Sequence, residues 1–225
     1  MARQRSWADS MSLNAMASPA ARSGRRYEQD RAGLITHETD AFRRNRSAYR
    51  IAEPLLTFYH AIMSPAWGDL ERPGRSAQVW RRSQHTFTSN VVGRHFEEIC
   101  RRWARWYGSP QTYRTDPVRV ASGTVPDAGA QKTAEVDVAV FGRGDDNRDT
   151  LLAIGEAKWQ ENMTTSHLNR LERIRDLLRA GGKPGAGNAR LLLFSGTGFN
   201  DALMERAAND PSVQLIGLER LYYGS

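Results

Sequence analysis

The sequence predicts an α/β protein built on a mixed central sheet flanked by helices, and three observations carry that expectation. EVDVAVF, residues 135–141, alternates and is rich in valine, as a strand does. After the turn GRGDDNRD, the apolar run TLLAIGEAKW reads as the second strand of a hairpin. Beyond it come SHLNRLERIRDLLRAGG, with Leu168, Leu171, Ile174, Leu177 and Leu178 at helical spacing, and ARLLLF (189–194), a short apolar run of the kind buried on both faces. A hairpin followed by a crossover helix requires both antiparallel and parallel pairing in one sheet.

From the N-terminus, residues 1–30 are rich in Arg, Ser and Ala without a sustained apolar period, and read as a mobile tail or a poorly formed helix. Residues 31–68 read as a hairpin and a helix. Leu34–Thr36 and Ala48–Ile51 lean towards β around a charged turn, Pro54 ends the hairpin, and Leu55, Phe58, Tyr59 and Ile62 recur helically until Pro65. Residues 69–86, with Pro73 and Gly74, read as a connector. Residues 87–225 form the main domain. In it, Val92, Phe96, Ile99, Cys100, Trp103 and Tyr107 mark an amphipathic helix that Gly108 and Pro110 end. From residue 90 the expected order is helix, strand, strand, helix, strand, helix, strand. The last helix is NDALMERAA, capped by Asn200, and the last strand VQLIGLERLY.

The chain of 225 residues carries a net charge of +7, which suits a phosphate-bearing partner such as DNA. Cys100 is its only cysteine, excluding an internal disulfide and a cysteine-cluster metal site. No apolar run approaches the ~20 residues of a membrane helix, and the first twenty residues lack the apolar core of a secretory signal. The expectation is a cytoplasmic protein with no membrane contact.

Of 32 basic residues only Lys132, Lys158 and Lys183 are lysine, which draws attention to GEAKW. If Phe141 opposes Leu152 across the hairpin, the same register sets Asp137 opposite Glu156. Glu156 and Lys158 then share a face. Two carboxylates held together repel unless a cation or a proton lies between them. Mg²⁺ (or Mn²⁺) answers that need, binding through one or two carboxylates and completing its shell with water and substrate phosphate. A neighbouring lysine can orient the water or offset developing charge. The plainer reading of Glu-x-Lys is an exposed ion pair. Against it stands the apolar run 151–154, which puts the tripeptide at the end of a buried strand.

Asp137, then Glu156-Ala157-Lys158, on a hairpin followed by a helix, resembles the PD-(D/E)XK nuclease superfamily. The resemblance implies a restriction-endonuclease-like mixed sheet and Mg²⁺-dependent phosphodiester hydrolysis. It implies Asp137 and Glu156 as metal ligands and Lys158 as the residue that positions or activates water. It adds a glutamate from the preceding helix, Glu97 in VGRHFEEIC, with Glu98 the alternative. The family's proline before the first aspartate is missing. A wider resemblance, over 32–225, rests on YRIAEPLLTFYHAIMSP, VGRHFEEICRRW, EVDVAVF, GEAKW and FSGTGF. In that order they are similar to the C-terminal region of archaeal-type P-loop ATPases, in which an ATPase and a winged helix precede a PD-(D/E)XK-like domain. The hairpin near 33–53 then resembles the wing, a winged-helix-like remnant. No G-x-x-x-x-G-K-[S/T] loop exists, RAGGKPGAGNAR being the nearest, so no ATP site is carried over. The resemblance implies an ATPase partner encoded elsewhere. Three readings stay open: a DNA endonuclease-like domain, a weak or inactive nuclease-fold module that binds DNA or a protein partner, and a gene remnant.

Other motifs have plain readings. RRWARW (101–106) could grip nucleic acid, but Trp103 fits the core stripe and its arginines a solvated face. Arg170, Arg173, Arg175 and Arg179, interspersed with Glu172 and Asp176, read as an exposed salt-bridged face. The histidines form no zinc pattern. Ser195 reads as a turn residue.

Overall fold

The computed structural model describes residues 33–224 apart from 44, 145 and 146, so the expected N-terminal tail lies outside the described residues. Strands β1 (Ile35–Thr39) and β2 (Ser47–Ile51) form the antiparallel hairpin. The main sheet has five strands: β3 (Arg119–Asp127), β4 (Lys132–Arg143), β5 (Asp149–Lys158), β6 (Arg190–Ser195) and β7 (Val213–Ile216). They lie in sequence order. β3, β4 and β5 pair antiparallel, and β5, β6 and β7 parallel, so the sheet is mixed as the hairpin-plus-crossover pattern requires.

The helices sort the core into two layers. On one face, α4 (Arg94–Trp106) places Phe96, Cys100, Trp103 and Ala104 against Val138, Val140, Ala153, Leu192 and Phe194. On the other, α6 (Thr165–Ala180) places Leu168, Leu171, Ile174 and Leu178 against Ala139, Phe141, Ile154, Leu191 and Leu193. Successive β6 residues serve opposite layers, which is why 191–194 is apolar throughout. Helix α7 (Asp201–Asn209) is capped by Asn200, whose side chain accepts from Leu203 N–H at 3.0 Å.

Several expectations need correction. The edge strand β3 was not foreseen, because Gly123 and Pro126 punctuate RVASGTVPD like a turn. An edge strand tolerates the proline, and Gly123 leaves room for the loop that joins β1 to β2: a Cβ there would lie 2.8 Å from the Ala41 Cβ. Within the expected connector, Ser76–Thr86 forms helix α3 and runs through a π-helical stretch (Phe87–Gly93) into α4. Only Val79 of α3 is buried, so its sequence shows no apolar stripe. The earlier helix, α1 (Pro54–Phe58), does not stop at Pro65. Pro65 occupies the first turn of a 3₁₀ segment, where a missing N–H costs nothing, and the run continues into α2 (Trp67–Leu70). Ile99 and Tyr107 are exposed rather than part of the α4 stripe. After a short α5 (Pro110–Tyr113) comes β3. VQLIGLERLY is strand only to Ile216, and Gly217 then opens helix α8 (Leu218–Tyr223). Among the described residues no helix is long and apolar enough to cross a membrane.

Candidate active site

The expected pairing of Asp137 with Glu156 depends on register, and two bulges control it. Val138 opposes Gly155 and Ala139 opposes Ile154, the register that carries Asp137 towards Glu156. The assumed anchor is different: Phe141 pairs with Leu151, not Leu152, and Leu152 is the extra residue of a bulge. On the other side of β4, Ala121 opposes Ala139 while Gly123 opposes Val136. Ser122 alone therefore faces both Asp137 and Val138. Val136 and Val138, two apart, accordingly join opposite core layers. Asp137 thus sits in a bulge, a device that re-aims a side chain out of strict alternation.

The Asp137 carboxylate accepts the Ala157 N–H at 2.9 Å, which ties it to β5. Beside Ala157 in sequence, Glu156 is buried, its side chain 4% exposed. Its Oε1 takes two cations, Arg170 at 2.6 Å and Lys158 at 3.3 Å. Its Oε2 is buried without a hydrogen-bond partner. Lys158, 35% exposed, stands at the mouth of the site. Arg170 arrives because Thr164 caps α6, and His167 Nδ1 accepts the Thr164 N–H at 3.1 Å, setting the helix's first turn just after β5.

From the opposite layer, α4 contributes Arg101, which is buried and donates to the Asp137 carbonyl at 3.0 Å. Arg101 also pairs with Glu98 at 3.0 Å and lies 3.8 Å from Glu97. Glu98 turns towards Arg101 and Arg102. Glu97 instead feels the charge of Asp137, and Arg50 of β2 approaches it at 3.9 Å.

The electrostatics follow from burial. Burial, then the neighbouring Asp137 charge, pushes the Glu97 carboxyl up to about 7 against the pull of Arg101 and Arg50. Asp137 is also raised, by burial first and by Glu156, although the Ala157 N–H, Lys158 and Arg170 oppose the shift.

Among the described residues no group of three or more His, Cys, Asp or Glu side chains is placed to hold a metal ion. A hard divalent ion needs only one or two carboxylates. The buried, unpartnered Glu156 Oε2 is an oxygen that such an ion would engage, and Asp137 is near enough for Glu156 to raise its pKa.

Two site residues escaped the sequence reading. Arg170 was placed on an exposed face, and Arg101 among solvated arginines. Arg170 flanks the buried stripe Leu168, Leu171, Ile174 and Leu178 without interrupting it, so nothing local marks either residue. Ser195 is the last residue of β6, and its hydroxyl accepts from Thr197 and Gly198 N–H in the turn that follows. No protein-family model matches the chain, and comparison with curated proteins and with solved structures likewise finds no match. What stands without them is the class: a mixed α/β protein whose five-stranded sheet carries a carboxylate–lysine–arginine cluster at one end.

Proposed function

We propose that the chain is a metal-dependent DNA endonuclease-like domain that hydrolyses phosphodiester bonds. The sheet β3–β7 is taken as its restriction-endonuclease-like core and the β1–β2 hairpin as a winged-helix-like remnant. The observation that carries the reading is the Glu156 side chain: one oxygen held by Arg170 and Lys158, the other buried and unpartnered, in a carboxylate whose charge Asp137 feels.

Asp137 and Glu156 would hold Mg²⁺ or Mn²⁺, which supplies a Lewis acid for a phosphoryl oxygen and lowers the pKa of a bound water. The Ala157 N–H keeps the Asp137 carboxylate in one orientation. Arg170 and Lys158 both hold the same Glu156 oxygen, Oε1, and so fix the orientation of the carboxylate. From the mouth, the Lys158 ammonium can donate to the attacking water or to a phosphoryl oxygen gaining charge. Glu97, titrating near 7, can hold or release a proton at neutral pH.

A second reading has its own support. Arg170 and Lys158 already offset the Glu156 charge, as a nuclease fold kept as a DNA- or partner-binding module with weak hydrolysis would require. Supercoiled and branched DNA incubated with the protein and Mg²⁺ or Mn²⁺ separates the two. Metal-dependent cutting, lost in Asp137→Ala and Lys158→Ala, is the expected result. DNA binding that survives both substitutions, with no cutting by any form, sinks the enzyme reading and leaves the module.

A further inference from the structure

Between the β1–β2 hairpin, α4 and the start of β3 lies a groove of about 890 Å³. Its lining is unusually basic. Arg94, Arg101, Arg102 and Arg105 recur along one side of α4 over roughly 16 Å of helix, while Arg50 faces them from the hairpin. Glu38 and Glu98 are the acidic residues of the lining. Glu38 holds Arg50 at 2.6 Å and Glu98 holds buried Arg101 at 3.0 Å, but two arginines of the lining stay accessible to other anions. Arg102 holds Glu98 at 3.2 Å with its side chain 72% exposed, and Arg94 is exposed. Exposed pairs of this kind are worth at most about 1 kcal/mol and yield to a phosphate.

Two large rings also line the groove and remain open to solvent. Tyr49, on the hairpin, is 52% exposed, and its ring is tilted against His37 at 5.0 Å. Trp106, at the end of α4, is 70% exposed, with the Arg105 guanidinium over one face of its ring at 4.8 Å. Cations beside partly exposed aromatic rings suit a chain that offers phosphates and unstacked rings together. A duplex offers the phosphates but keeps its bases stacked, and an acidic peptide offers no bases. The groove adjoins the site through two shared side chains: Arg50 and Arg101 line it, both approach Glu97, and Arg101 holds the Asp137 carbonyl.

We propose that this groove docks a single-stranded stretch of nucleic acid, with phosphates on Arg94, Arg102 and Arg50 and bases on Tyr49 and Trp106. That it delivers the strand to Asp137 and Glu156 rests on the nuclease reading; the docking itself does not.

The test is fluorescence anisotropy of the full chain with a labelled oligothymidine of about 12 nucleotides, in EDTA so that neither metal nor cutting enters. The single strand is expected to bind at least about tenfold more tightly than a blunt duplex of equal length or a polyglutamate. For three phosphate contacts, log affinity should fall against log salt with a slope of about −2. Trp106→Ala and Tyr49→Ala should each weaken binding about tenfold, whereas Trp106→Phe and Tyr49→Phe keep it. Arg94→Glu with Arg102→Glu, both on exposed side chains, should weaken it and flatten the salt slope. Duplex or polyglutamate bound as tightly as the single strand, or affinity unchanged by the alanine and glutamate variants, overturns the proposal, as does absence of binding at about 50 mM salt. Loss of cutting alone, with this binding intact, counts against the nuclease reading only.

Discussion

Replacing Glu97 by glutamine should stabilise the protein, but only where the native carboxyl would be ionised. Glu97 titrates near 7 in the folded chain against an ordinary 4.5, because burial and Asp137 outweigh Arg101 and Arg50. The folded state therefore binds more protons than the unfolded state between those values, and stability falls as pH rises through that window. The ceiling is about 3 kcal/mol at pH 8, at about 1.4 kcal/mol per pKa unit. The Glu97 side chain keeps 27% of its exposure, and two arginines offset part of its cost once charged, so about 1–2 kcal/mol is expected. Glutamine copies the protonated form. Glu97→Gln should thus match the wild type at about pH 4 and gain progressively up to about pH 8. Urea melts of both proteins at a series of pH values, in EDTA and followed by tryptophan fluorescence, measure this directly. A difference independent of pH, or a glutamine variant less stable at pH 8, would show that the arginine contacts and not burial govern this carboxyl.

Two further outcomes test the frame of the site. Arg170→Ala leaves buried Glu156 with only Lys158 and should cost about 2 kcal/mol, less than a fully buried pair because Arg170 is itself 40% exposed. Adding Glu156→Gln should recover most of it, and a loss under about 0.5 kcal/mol in the same urea melts would mean Glu156 is not held by Arg170. Gly155→Ala should destabilise by about 2 kcal/mol, since its Cβ would lie 2.9 Å from the Leu192 carbonyl on the parallel neighbour. A thermal midpoint equal to the wild type would show that β5 and β6 are not packed this closely.

Much of this arrangement is legible in the residues themselves, because it depends on local periodicity. Strand alternation alone puts Glu156 and Lys158 on one face, and the apolar residues before them bury that strand. The helical spacing of Leu168, Leu171 and Ile174 and the uninterrupted apolar run of β6 likewise report their surroundings. Phe96, Cys100 and Trp103 mark the buried side of α4 equally well. Segments that lack a periodic signal were the ones misread. α3 buries one side chain, and β3 hides an edge strand behind a glycine and a proline.

Chain chemistry by itself determined the mixed α/β class, the hairpin that carries Asp137, Glu156 and Lys158, and the excess of positive charge. Only the tertiary structure decided what surrounds them. Two bulges on β4's flanks set where Asp137 falls, and bulges depend on neighbouring strands that local sequence does not specify. Arg101 reaches the Asp137 carbonyl from 36 residues away, and Arg170 reaches Glu156 from α6, on the other side of the sheet from Arg101. The groove exists because a hairpin near the start of the described chain settles beside α4 and β3. Contacts between residues so far apart depend on how whole elements pack, and no spacing within a segment encodes that.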